Sequence, residues 1–156
     1  MEILLNNEWK MTCPDGFARL DEKERRSLHF IAEGAGECLS DPERHMLVTL
    51  GWKKVSGLAV LLLSGQDLAR QMEKRISAPM QPFGYRLDGW RERQLDGGPA
   101  VGFRYRYRAQ ETDMMGESYV LKSGKTLYYF HLYAREALEK ESLACWETML
   151  DSLHRA

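Results

Sequence analysis

The sequence has no long hydrophobic run. Its longest unbroken apolar stretch, Leu58 to Leu63, is six residues, against about 20 for a helix that crosses a bilayer, so membrane insertion is not expected. Neither sign of charge is in excess. Lys and Arg number 22 and Asp and Glu 23, a net charge of −1, which argues against the basic surplus of a nucleic-acid binder. Cysteine is scarce and odd in number. Cys13, Cys38 and Cys145 contain no C-x-x-C pair, make no disulfide framework and suit a reducing compartment. Histidine is equally sparse: His29, His45, His131 and His154 show neither H-x-x-x-H nor H-x-H spacing, so neither a metal site nor a cofactor is expected. At the start, Met1-Glu2-Ile3-Leu4-Leu5 places an acid where a secretory signal needs basic charge, and Lys10-Met11-Thr12 before Cys13 lacks the small residues of a lipoprotein cleavage site. A cytoplasmic protein is the expectation.

What is present is the material of one globular domain spanning residues 1–156. At this size roughly 69% of the extended chain's surface is buried on folding, and 44% apolar residues are ample for a core. No repeat of solenoid period is visible. Trp9 to Cys13 reads as a short strand ended by Pro14-Asp15-Gly16. Asp21 with Glu24 looks like a capping box on a helical turn through Arg26. Leu28 to Ala32 and Met46 to Val55 read as strands flanking a polar loop around Ser40-Asp41-Pro42. Leu68, Ala69, Met72 and Ile76 recur at helical spacing, with Pro79 and Pro82 stopping the helix; Leu58 to Leu63 either belongs to that helix or extends the preceding strand. Then come strands at Tyr85–Leu95, Ala100–Arg108, Met115–Lys122 and Lys125–Ala134, joined by short turns, and a helix from about Glu136 to Leu153. Short turns pair strands antiparallel. The fold class is α+β: an antiparallel sheet of about six strands flanked by two main helices.

Several segments, taken in order, carry a family resemblance. They are Cys13-Pro14-Asp15-Gly16-Phe17 after the first strand, Asp67-Leu68 opening the middle helix and Gly84-Tyr85 before a strand. They continue with Gly97-Gly98-Pro99-Ala100-Val101 leading into Phe103-Arg104-Tyr105, Gly124-Lys125-Thr126-Leu127-Tyr128 heading the last strand, and Trp146 to Leu153 closing the final helix. In this order they resemble the PsbP-like superfamily, which includes DcrB-type proteins and chaperones associated with type VI secretion effectors. The resemblance runs from Trp9 to Leu153. It implies an antiparallel sheet layered with helices on both faces and a binding role rather than an enzymatic one. It carries no functional residue across.

Catalytic patterns fail one by one. Gly124-Lys125-Thr126 lacks the glycine of a phosphate-binding loop, since position 119 is Tyr. Cys145 sits beside Trp146 on the apolar stripe of a helix, the setting of a buried inert thiol. Asp151, Ser152 and His154 point around a helix in different directions and make no triad. Two features remain. Between Arg86 and Arg108 there are six Arg and three acids, 6 − 3 = +3, and Arg104, Arg106 and Arg108 alternate in one row. That row is either a solvated face balanced by Glu111, Asp113 and Glu117 or a recognition stripe for an acidic partner. The strand holding Tyr129, His131 and Tyr133 is apolar on both faces, as in a strand covered on both sides. Alternatively it is an exposed aromatic floor rimmed by His131 and the arginines, with Met114 and Met115 lining it.

The sequence thus points to a non-enzymatic cytoplasmic binding or adaptor protein, a monomer or homodimer with an unidentified protein partner. Its narrower form is a chaperone-like role for a secreted or membrane-directed partner. The candidate partner-binding residues are Arg104, Arg106, Arg108, Tyr129, His131 and Tyr133. The alternative is a small-ligand-binding or enzymatic domain with a pocket between the sheet and the middle helix.

Overall fold

The computed structural model describes residues 1–26, 35–55, 57–58 and 62–156. The long alternating segments of the second half pair as a meander: β6 (Arg86–Leu95), β7 (Gly98–Ala109), β8 (Thr112–Ser123) and β9 (Thr126–Arg135). They join β3 (Ala18–Arg19), β4 (Ala35–Asp41) and β5 (Met46–Lys54) in a seven-stranded antiparallel sheet of order β3-β4-β5-β9-β8-β7-β6. A separate three-stranded sheet consists of β1 (Glu2–Leu5), β2 (Trp9–Thr12) and β10 (His154–Arg155), in the order β1-β2-β10. This is one strand more than expected in the main sheet, with the two chain ends woven into a second sheet.

Among the described residues the main helices are α1 (Glu22–Arg26), α2 (Gly65–Met80) and α3 (Glu139–Asp151). Ser64 starts α2 with a capping box: Asp67 N donates to Ser64 Oγ at 3.1 Å, and Ser64 N donates to Asp67 Oδ2 at 3.3 Å. The helix does not stop at Pro79 but runs through it to Met80. A proline in the final turn removes a single backbone donor, and Met80, 1% exposed, pins that turn to the core. Pro82 lies in the one-turn 3-10 helix that follows, and Gly84 at φ 72° turns the chain into β6. Leu62 N donates to Leu58 O at 3.1 Å, and residues 59–61 of the Leu58–Leu63 stretch lie outside the described residues. The strand expected at Leu28–Ala32 lies outside the described residues.

Strand β9 sits in the middle of the main sheet, which is why it is apolar on both faces. On one face α2 packs Leu68, Ala69 and Met72 against Val101, Phe103, Tyr105 and Val120. On the other, α3 and the small sheet bring Trp146, Met149, Leu150 and Trp9 onto Tyr128, Phe130, Leu132 and Leu121. Trp146 and Trp9 are 0% and 2% exposed, and rings of this size each remove roughly 150–250 Å² from water. The structure is the expected helix–sheet–helix arrangement, with the small sheet sharing the α3 side.

Candidate binding site

Antiparallel register decides which candidate residues can meet. Arg104 lies opposite Glu117 and Glu117 opposite Leu132, whereas Phe103 lies opposite Ser118 and Ser118 opposite His131. Directly opposed residues share a sheet face. Arg104, Arg106 and Arg108 therefore face α3, and Tyr129, His131 and Tyr133 face α2. The two halves of the candidate surface are on opposite sides of the sheet.

On the α3 side the arginines are engaged within the fold. Arg104 Nη2 pairs with Glu117 at 2.7 Å, and Glu117 is almost wholly buried. Arg106 reaches Glu139 at 2.7 Å, Asp88 at 3.0 Å and Glu136 at 3.6 Å, so it ties β7 to β6 and to the start of α3. Arg93, on β6, pairs with Asp151 and Glu147 at the other end of the same helix. The side chains of Arg104 and Arg106 are 18% and 17% exposed, against 58% for Arg108, which pairs with Asp113 at 2.7 Å. Two of the balancing acids read from the sequence, Asp113 and Glu117, have that role. Asp88 is one of the three acids between Arg86 and Arg108, whereas Glu136 and Glu139 come from the start of the last helix and the turn before it.

On the α2 side two aromatic ladders run along β7 and β9. Phe103, Tyr105 and Tyr107 follow one another at 5.7 and 5.8 Å between ring centroids, and Tyr129, His131 and Tyr133 at 6.5 and 6.4 Å. Between them β8 carries small residues. The ring of Tyr105 occupies the space over Gly116, where an added Cβ would meet Tyr105 Cζ at 2.2 Å. Ser118 Oγ lies 2.7 Å from His131 Nδ1. Burial, reinforced by the nearby Arg75 guanidinium, pushes the His131 pKa down to about 4, so the imidazole is neutral at pH 7. Arg75 also stands over the Tyr129 ring at 5.7 Å from its centroid. The Tyr105 hydroxyl couples to Ser118 and Tyr133 but makes no well-formed hydrogen bond among the described residues, and burial raises its pKa strongly. Ser118 and His131 have the proximity of a nucleophile and its base. With Ser118 at 0% exposure, the pair is a core hydrogen bond closed to substrate.

Beyond Tyr133 this face opens into a cleft of about 290 Å³. Leu47, Ala109, Met114, Tyr107 and Tyr133 line it, and the β4–β5 turn with His45 forms its rim. Of the candidate residues, Tyr133 lines the cleft, whereas Tyr129 and His131 stand further along the β9 ladder. Met114 also lines the cleft, but Met115 is fully buried on the α3 side. The rim is held by Asp41, whose Oδ1 accepts from the backbone N–H groups of Glu43 at 3.0 Å and Arg44 at 3.2 Å. Arg44 pairs with Asp41 and donates to Asp15 O at 2.8 Å. Burial opposes ionisation of Asp41, yet Arg44 and these N–H groups hold its carboxyl below the usual range. The Asp41-Pro42 step marks this turn in the sequence. No local pattern joins it to Tyr107, Met114 and Tyr133.

Among the described residues no group of three metal-ligating side chains is assembled. The thiols of Cys13 and Cys38 are buried, and desolvation raises both pKa values to about 11. Cys145 is half-buried, with its pKa raised by the same cause.

No protein-family model matches the sequence, and no curated protein sequence matches it significantly. Solved structures do match in shape. Cyanobacterial PsbP (CyanoP) from Synechocystis sp. PCC 6803 superposes with a TM-score of 0.70 at 16% identity, over 100% of this chain and 92% of its own. The Saccharomyces cerevisiae Ran-binding protein Mog1p gives 0.55 at 11% identity, over 99% and 94% of the two chains. The T6SS immunity protein TplEi of Pseudomonas aeruginosa gives 0.54 at 15% identity, over 77% of this chain and 43% of its own. The chain therefore has the PsbP-like fold.

Proposed function

We propose that this protein is a non-enzymatic binding or adaptor protein that receives an apolar segment of a protein partner in the cleft beside the β4–β5 turn. The observation that carries this reading is the lining of the cleft. Leu47, Ala109 and Met114 with the rings of Tyr107 and Tyr133 offer an apolar floor, and the Asp41 carboxylate at its mouth is already satisfied by the N–H groups of its own turn. Aromatic and methionine side chains are the residues that interfaces enrich. Similar folds include a Ran-binding protein and a T6SS immunity protein, which supports protein recognition as the use made of this architecture. The narrower form of the proposal is a chaperone-like role in the cytoplasm for a secreted or membrane-directed partner, acting as monomer or homodimer.

The alternative of a ligand or catalytic pocket between the sheet and α2 has less support. That layer is filled by the Tyr105, His131 and Tyr133 rings, and its one pair with catalytic proximity is sealed. The test is capture of partners from the source cell by wild-type protein, Met114→Lys and Arg108→Glu at near-physiological salt. Loss of a stoichiometric partner in Met114→Lys alone, with an unchanged melting temperature, supports the cleft. A partner kept by Met114→Lys and lost with Arg108→Glu would move the site to the arginine row.

A further inference from the structure

We propose that the lysine-rich end of the main sheet, with Leu58 and Leu62 beside it, docks on the surface of an anionic lipid bilayer. Strand β5 ends in Lys53 and Lys54, and the β8–β9 hairpin brings Lys122 and Lys125 to the same end. Lys53 and Lys122 flank Leu127 in register, Lys54 lies opposite Thr126, and Val55 N donates to Lys125 O at 2.8 Å. The segment leaving β5 is tied to this end, because Lys122 Nζ donates to Leu63 O at 3.3 Å. Leu62 N donates to Leu58 O at 3.1 Å, and the two side chains are 74% (Leu58) and 77% (Leu62) exposed, the two most exposed large apolar side chains among the described residues. From Val55 to Gln66 the sequence contains no acid. The next one, Asp67, is engaged by Ser64 and by Arg70 at 3.8 Å.

Exposed leucines rimmed by lysines present two weak membrane signals in one place, and interfacial binding gains from both, through buried apolar area and attraction to anionic lipid. A bilayer interface accepts apolar side chains without a shaped receptor, which suits leucines standing free of any groove. Lysine stems reach along apolar surface while their ammonium groups meet acidic headgroups. The docking is peripheral: no helix of the described residues is long and apolar enough to cross a membrane.

This surface is independent of the cleft. Leu47 and Tyr133, which line the cleft, pair at the opposite end of β5 and β9 from Lys54 and Thr126, roughly 24 Å away at the rise of a strand. A molecule lying on a membrane by its lysine end holds the cleft away from the lipid.

The test is co-sedimentation with vesicles of phosphatidylcholine alone and with about 30% phosphatidylserine added. Wild-type protein is compared with Leu58→Ser/Leu62→Ser, Lys53→Gln/Lys54→Gln and Met114→Lys. The expected result is binding only to the phosphatidylserine vesicles, weakened by added salt. Loss of the lysine pair should weaken it about 25-fold, at about fivefold per lysine, and loss of the leucine pair should weaken it about tenfold or more, because interfacial binding scales with the apolar area buried. Met114→Lys should bind as wild type, so failure of the cleft proposal leaves this one standing. The substituted leucines and lysines are exposed, and unchanged melting temperatures confirm the fold. Absence of binding, equal binding to both vesicle types, or retention of binding in either double variant would overturn the proposal.

Discussion

Ser118 Oγ lies 2.7 Å from His131 Nδ1 on adjacent central strands, both beneath the α2 layer. Because this histidine is buried and neutral, its proton balance is a stability term. Its folded pKa is about 4, below the 6.5 of an exposed imidazole. The unfolded chain therefore binds a proton at acidic pH that the folded chain does not. The stability that neutral His131 supplies is complete above pH 6.5 and falls as pH drops toward 4, by at most about 1.4 kcal/mol per pH unit. Urea midpoints measured across this window should decline in the wild type and decline less in His131→Gln. An identical decline in both would assign the acid sensitivity to other groups.

Gly116 is the close approach that lets the two ladders pack. With Tyr105 Cζ 2.2 Å from where a Cβ would stand, Gly116→Ala must displace a ring that is fully buried. Overpacking of this kind is destabilising by about 1–3 kcal/mol. The cause is testable by a double-mutant cycle. Gly116→Ala should be much less damaging in a Tyr105→Leu background, and strict additivity would place the strain elsewhere.

Much of this architecture is legible in the sequence because alternation is local. The meander from β6 to β9, the capping box of Asp21 with Glu24 on α1 and the two-faced apolarity of β9 all follow from neighbours in the chain. The small sheet does not, because β10 is two residues long and is defined only by its pairing with Trp9 and Lys10. Alternation placed Arg104, Arg106 and Arg108 on one face but said nothing of what covers it. Glu136 and Glu139 reach Arg106 through the docking of α3, a contact no spacing rule contains. The cleft is hidden for the same reason: Leu47, Tyr107, Met114 and Tyr133 come from four strands.

The cysteines should be chemically quiet in the folded protein. Raising a thiol pKa from 9.0 to about 11, as at Cys13 and Cys38, lowers its thiolate fraction near neutral pH about a hundredfold, before burial limits access. Alkylation followed by mass spectrometry should label Cys145, the least buried of the three, first and the others only with denaturant. Rapid native labelling of Cys13 or Cys38 would mean that their surroundings open readily.

The arginine row offers a contrast within one strand. Arg106 is mostly buried and faces three carboxylates, so Arg106→Glu puts a fourth acid among Asp88, Glu136 and Glu139. Breaking a buried pair in this way is destabilising by about 3 kcal/mol or more. Arg108 is 58% exposed beside a 60% exposed Asp113, and such surface pairs contribute less than about 1 kcal/mol. Denaturant unfolding should therefore separate the two reversals clearly, with Arg106→Glu strongly destabilised and Arg108→Glu close to wild type. Arg108 is also the member of the row best placed for an acidic partner, so a binding defect in Arg108→Glu at unchanged stability would mark recognition. Equal stability of both variants would mean that α3 does not depend on Arg106 for its seat on the sheet.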